Sequence, residues 1–411
     1  MNLFLSSFLN FIDFNFLLKF KEYLVLHNSL PFSNFQFYLF IIISIFIALI
    51  IKRLMKNEAA TAYLNFLAAI SIFYVSFLYT KPIHFILFVL YGYFVFKYFS
   101  QKLKWRGLKP ILIYVIPLFG MKIFNVLPEF NTSIHNLFQI AGLSYASFKM
   151  IQIHLEESDR SQISLKFYFT FLAFPPTLLI GPLDRFDRFK KNILLGFTSI
   201  NSDNFNKGLD YFIRGLLYKY ILAAIINQLI LNHIDSLEGI VYHLVNMYSY
   251  LIFLFFDFAG YSFLAMGFGY MLGILVPLNF DKPFLAQNPK EFWQRWHKSL
   301  GDWLNDYFFK PIFKDLTTKK IFTSIQRQSL ALFLTFTLMG CWNGFELNYV
   351  LSGILFGIYS VIYNYYNFKS KQKGRDVLFG NLNPKLIRII SIFILFNAVA
   401  FSIYVFSGKL I

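Results

Sequence analysis

Acidic side chains are scarce. The 411-residue sequence has 21 Asp and Glu against 38 Lys and Arg, and charged residues of both signs make up 14% of it. Soluble domains carry about a quarter charged residues, so this chain has too thin a polar coat to be one. Cysteine is rarer still: Cys341 stands alone, which excludes an intramolecular disulfide and the Cys-rich zinc motifs. A GxSxG elbow, a Walker loop, an HExxH helix and paired metal-ligand spacings are all missing, so no covalent serine chemistry and no metal is expected. The stretch from Met1 to Lys19 has no basic start and no small-residue cleavage site, and Asp13 interrupts it. Residues 1–36 are therefore expected to be an interfacial or partly embedded segment, not a removable signal.

What is abundant is hydrocarbon. Hydrophobic residues make up 57% of the chain and the mean hydropathy is +0.54. Apolar stretches near the roughly 20 residues that span a bilayer recur from end to end. They lie at 37–51, 62–79, 83–99, 108–125, 136–153, 167–183, 209–231, 241–258, 262–278, 328–342, 347–366 and 386–407. The expectation is an all-α multi-pass membrane protein, a single membrane domain over 1–411 with about eleven transmembrane helices. Lys52, Arg53 and Lys56 follow the first span, and Lys97, Lys102, Lys104, Arg106 and Lys109 crowd the end of the third, while only Lys81 lies between the second and third. The bias of Lys and Arg toward cytoplasmic loops puts those basic ends inside and the N-terminus outside. The same bias accounts for the net charge of +17 without nucleic acid. The spans lack the paired, Gly/Pro-interrupted halves of an inverted-repeat transporter.

Two hydrophilic stretches break the pattern: 181–206, beginning "GPLDRFDRFKKN", and 279–327, which contains "FWQRWHKSL" at 292–300. On an ideal helix, Glu291 to Phe308 separates into an aromatic stripe (Trp293, Trp296, Leu300, Trp303, Tyr307) and a polar one (Arg295, Ser299, Asp302, Asp306). His297 belongs to neither. It shares its side with Gly301 and Leu304, and the glycine is expected to leave open space beside the imidazole. One reading is an interfacial helix with its Trp and Tyr at headgroup level and an incidental histidine. The other is a functional site, since ionisable groups near membrane depth are costly and neutral imidazole is the usual base for activating a hydroxyl. The segment alone leaves both open.

Residues 255–309, "FFDFAGYSFLAMGFGYMLGILVPLNFDKPFLAQNPKEFWQRWHKSLGDWLNDYFF", resemble the signature of the membrane-bound O-acyltransferase family, and within it the bacterial branch of D-alanyl transfer in teichoic-acid modification and of alginate O-acetylation. "GLSYASFK" at 142–149, "GPLDRFDRF" at 181–189 and "FNAVAFSIYVFSG" at 396–408 are similar to the same group in the same order, so the resemblance spans about 90–411. It implies a ring of transmembrane helices around a thin central region, with a cytoplasmic funnel for the acyl donor and a tunnel to the outer face. It implies a bacterial cytoplasmic (inner) membrane and no permanently bound cofactor. The donor would be an acyl thioester, on a phosphopantetheine acyl carrier protein or on coenzyme A. A membrane-anchored partner and a polymer or glycolipid acceptor are implied with it.

Two positions depart from the family pattern. Where members carry a second histidine in a Trp-His-Gly sequence, taken as the main catalytic residue, this chain has "MGCWNGFE" with Asn343; where an arginine precedes Asp-Tyr it has Asn305. An amide cannot take up a proton. "Asn343-Gly344" also has a plain reading as a helix terminus, because both residue types tolerate left-handed backbone. The expected site sets His297 and Asn343 across the tunnel from each other, with Trp293, Arg295, Trp296, Ser299, Asp306 and Trp342 along its wall. Two functions follow: an O-acyltransferase, or a non-catalytic member, a pseudoenzyme, that binds a carrier, lipid or partner acyltransferase.

Overall fold

The structure is a computed structural model, and it describes residues 35–54, 60–79, 81–99, 109–126, 142–156, 163–374, 376–380 and 382–410. Regular structure among the described residues is helical throughout, with no strand. Among the described residues, five helices are long and apolar enough to cross a membrane: Gln36–Leu54, Ala60–Leu78, Gly239–Met271, Leu347–Lys373 and Pro384–Phe406. Pro82–Lys97 and Ile111–Gly120 are shorter apolar helices. Helices suit a bilayer because each satisfies its backbone donors and acceptors internally. The all-helical membrane class thus holds, with five such helices against about eleven crossings expected.

Two differences have local causes. The expected spans 241–258 and 262–278 are one 33-residue helix, Gly239–Met271, because the Ala259-Gly260-Tyr261 junction has no proline or charge to break it. The expected span 167–183 stops early: its helix is Leu165–Ala173, and Pro175 and Pro176 follow at once in a 3-10 turn. Proline disfavours helical backbone at the residue before it, and Phe174 (φ −58°, ψ 116°) leaves the helix there. The N-terminal segment to residue 34, the stretch 136–141, and Lys56, Lys102, Lys104 and Arg106 lie outside the described residues.

The chain divides into two compact units, 1–80 with 189–276 and 81–188 with 277–411. In the first, Ser202–Leu216 packs on Gly239–Met271 so closely that a Cβ on Gly267 would lie 2.7 Å from the Gly208 carbonyl oxygen. Small residues allow such approach where lipid offers no hydrophobic drive for helix association.

In the second unit, Ser324–Asn343 and Leu347–Lys373 form a helical hairpin. A Cβ on Gly340 would lie 2.5 Å from the Tyr349 carbonyl oxygen, so glycine sets this spacing. The helix Leu143–Glu156 is buried along most of its length and takes Lys149, Gln152 and His154 into the core. Fully buried Lys149 donates to the Phe171 carbonyl and the Thr177 hydroxyl, both at 2.9 Å. A buried ammonium needs such partners, and here they pin the end of the Leu165–Ala173 helix and the Pro175–Thr177 turn to the helix that carries Lys149.

Candidate functional site

Residues 291–308 do not form one helix. Pro289–Trp293 is a short helix capped by Asn288, whose side chain accepts from the Glu291 amide at 2.9 Å. The chain then turns, His297 adopts left-handed backbone (φ 46°, ψ 46°), and a new helix, Lys298–Leu304, begins. Asn305–Phe309 continues as a π turn into Lys310–Thr318. The two stripes projected on a single helix are thereby corrected. In an unbroken helix the Lys298 and Ser299 amides would donate to the carbonyls of residues 294 and 295. Here Lys298 N donates to the Asn279 carbonyl at 2.9 Å, and Ser299 N to Asn279 Oδ1 at 3.3 Å. The Arg295 carbonyl accepts instead from Asp281 N at 2.9 Å. Gly301 likewise serves contact, not open space beside the imidazole: a Cβ on it would lie 2.9 Å from the Trp293 carbonyl oxygen.

His297 sits between two polar partners. Its Nδ1 lies 3.2 Å from Asn279 Oδ1, and its Nε2 lies 3.5 Å from the Tyr145 hydroxyl, which donates to the Ile180 carbonyl at 3.2 Å. Burial lowers the pKa of the imidazole from 6.5 to about 3, against a smaller opposing effect of its own backbone carbonyl. The ring is therefore neutral at physiological pH. Ser299, buried beside it, donates to Asn279 Oδ1 at 2.8 Å and accepts from Leu183 N at 2.9 Å.

An aromatic group leads from this centre toward position 343. Phe148, one turn along the helix from Tyr145, lies between Trp342, stacked at 4.1 Å, and Trp303, tilted at 4.3 Å. Asn343 is exposed and ends its helix, its Nδ2 donating to the Met339 carbonyl at 3.0 Å. Gly344 is extended (φ −177°), so the terminus is as expected but its backbone is not left-handed.

The remaining expected residues each have partners of their own. Trp293 packs on Phe336 and Phe356, with ring centroids 5.3 and 4.9 Å away, and buried Trp296 on Phe280 and Phe292 at 5.2 and 5.6 Å. Arg295 pairs with Glu291 at 2.6 Å. Asp306 binds Arg185 at 2.6 Å and Lys310 at 2.8 Å, so a guanidinium reaches it although position 305 is asparagine. Arg185 also lies 5.0 Å over the Tyr307 ring, and the Tyr307 hydroxyl donates to Glu156. Burial first, then the Glu156 carboxylate, raises the Tyr307 pKa and keeps the phenol neutral.

The structure thus joins His297 and Ser299 through Asn279, and the Tyr145 helix brings Trp342 into the same unit. Asn279, Tyr145, Lys149 and Arg185 were missed as individual site residues. "GLSYASFK" and "GPLDRFDRF" hold the last three; Asn279 opens the hydrophilic stretch with no motif of its own. Among the described residues no group of three or more His, Cys, Asp or Glu is placed to hold a metal.

Residues 59–397 match the membrane-bound O-acyltransferase family. The chain is 35% identical over 308 residues to the teichoic acid D-alanyltransferase of Bacillus subtilis (strain 168), covering 73% of this chain and 77% of that one. It is 33% identical over 341 residues to the teichoic acid D-alanyltransferase of Streptococcus thermophilus, covering 78% and 80%. It is also similar to a probable alginate O-acetylase of Pseudomonas putida, at 32% over 231 residues, covering 54% and 45%.

Proposed function

Because the chain belongs to the membrane-bound O-acyltransferase family, we propose that it moves an acyl group, D-alanyl or acetyl, from a thioester to a hydroxyl of an envelope polymer or glycolipid. The observation that carries this reading is His297, a neutral imidazole with a hydrogen-bond acceptor, Asn279 Oδ1, on Nδ1. Nε2 takes the proton of the acceptor hydroxyl as its oxygen attacks the thioester carbonyl carbon. A C–O bond forms, the C–S bond breaks, and the imidazolium returns the proton to the departing thiolate. Positioned proton transfer of this kind contributes about 10² to 10⁴ in rate.

The two teichoic acid D-alanyltransferases favour D-alanyl transfer to a teichoic acid, and the alginate relative makes acetyl the alternative. The donor is a phosphopantetheine acyl carrier protein or, for acetyl, acyl-coenzyme A, and a membrane-anchored protein of the same modification system is the partner. We place the protein in the bacterial cytoplasmic membrane, with the basic ends of the first and third spans inside and the N-terminus outside. In this reading residues 1–411 make up one membrane domain with about eleven crossings.

Asn343 favours a second reading. If position 343 supplies the essential base, this chain is a non-catalytic member that binds a carrier, lipid or partner acyltransferase.

Proteoliposomes holding the purified protein, charged in turn with D-alanyl carrier protein and acetyl donors and given a teichoic acid acceptor, separate the readings. The expected result is an ester on the acceptor that disappears in His297→Ala. Carrier binding without turnover for every donor would transfer support to the non-catalytic reading.

A further inference from the structure

We propose that Asn279 is a positioning residue that sets which nitrogen of His297 carries the proton, so that Nε2 is the base. The proposal deepens, and rests on, the reading of His297 as the base of acyl transfer. Its geometry is self-consistent from donor to acceptor. The Ser299 backbone N–H can only donate, and at 3.3 Å from Asn279 it identifies the facing amide atom as oxygen. The Leu183 N–H, also only a donor, occupies Ser299 Oγ at 2.9 Å, so the Ser299 hydroxyl hydrogen is directed to the same Asn279 oxygen at 2.8 Å. With Asn279 Oδ1 fixed as an acceptor, the imidazole nitrogen 3.2 Å from it is the one bearing hydrogen. A neutral imidazole has a single N–H, so the lone pair is on Nε2.

Asn279 also builds the backbone around the ring. It is wholly buried, and its carbonyl takes the Lys298 amide while its side chain takes the Ser299 amide. These bonds divert the two amides that would otherwise continue the preceding helix, and they hold His297 in its left-handed conformation. On the other side of the ring, the Tyr145 hydroxyl gives its hydrogen to the Ile180 carbonyl, which only accepts, and turns its oxygen toward Nε2. Once Nε2 has taken a proton, that oxygen receives the new N–H. The Asn279 amide and the Tyr145 phenol both face the imidazole; Lys298, next in sequence, is paired with Asp302 at 2.8 Å. An uncharged amide orients the ring without raising its basicity, as a carboxylate in the same place would.

The test is made on the full chain in detergent. Diethyl pyrocarbonate attacks only unprotonated imidazole, so its rate at His297, read by peptide mass spectrometry, reports protonation without turnover. The natural protein should react at a constant rate across about pH 5 to 8, while in Asn279→Asp the rate at the acid end should fall about tenfold. In acyl transfer, Asn279→Asp should gain an acid limb in kcat over the same range, and Asn279→Ala should lose about a hundredfold in kcat with KM little changed. A flat modification profile in Asn279→Asp overturns the proposal, as does an Asn279→Ala variant with natural kcat. If Asn279→Ala fails to fold, the isosteric aspartate decides alone. Should the modification rates shift as expected while no donor supports turnover, Asn279 keeps its role and the acyl-transfer reading fails.

Discussion

The rings of Phe148 and Trp342 stack 4.1 Å apart and 23° from parallel. That contact ties the end of the Ser324–Asn343 helix, and so position 343, to the helix that carries Tyr145. Phe148 is buried and also touches Trp303. Phe148→Ala should therefore open a cavity between two tryptophans and cost about 3 to 5 kcal/mol, the usual range for truncating a core aromatic. The thermal unfolding midpoint of the purified protein should fall by several degrees, and Phe148→Leu should recover part of the loss. An unchanged midpoint in both would show that this packing contributes little.

The half-buried setting of His297 makes a pH prediction with a definite sign. Unfolded, the imidazole titrates near 6.5; folded, burial lowers its pKa to about 3. Between these values the unfolded chain binds a proton that the native protein does not, so stability falls as pH drops through that window and is flat above it. Thermal unfolding of the natural protein and of His297→Gln near pH 8 and near pH 5 measures this. The natural protein should lose more on acidification, because glutamine removes the titration while the other histidines are common to both. Equal losses would mean that His297 is not held neutral.

Lys149 provides a stability test away from the reacting centre. Its ammonium donates to the carbonyls of Phe171 and Leu172 and to the Thr177 hydroxyl, with no exposed surface. Lys149→Met keeps much of the volume but leaves those buried oxygens unsatisfied, at about 1 to 3 kcal/mol for each group that finds no other donor. The 174–185 segment should loosen, and its amide hydrogen exchange should rise. Because Ile180 and Leu183 in that segment contact Tyr145 and Ser299, His297 should also become more reactive toward diethyl pyrocarbonate. Natural exchange rates in the variant would refute the link.

The membrane class was legible because hydrophobic run length is a local property, and the runs at 37–51, 62–79, 347–366 and 386–407 appear as long helices at nearly those places. Run length could not tell two spans from one long helix at Gly260, since nothing in Ala259-Gly260-Tyr261 marks continuity or a turn. His297 stood out by rarity and by its place between two aromatic-rich turns. The conformation around it was illegible, because the partners that break the helix come from Asn279, 18 residues before His297, and a periodic projection sees only neighbours three and four apart. Tyr145 is more distant still, 152 residues from the histidine it faces. Side chains that meet through tertiary packing leave no spacing to read.

Asn343 decides between the two functional readings. Its amide bonds back to the Met339 carbonyl of its own helix, a contact that caps a turn and cannot move a proton. If transfer needs a second base there, the natural protein lacks about 10² to 10⁴ in rate, equivalent to about 3 to 5 kcal/mol of barrier. Asn343→His should then raise acyl transfer with the matching carrier, and His297→Ala should abolish what the natural protein shows. If the natural protein turns over rapidly and Asn343→His slows it, the asparagine is an adapted part of the site, orienting a hydroxyl or thioester carbonyl through its amide. Restored activity in Asn343→His from an inert natural protein would mark this chain as a member that kept the fold and the His297 centre while giving up the reaction.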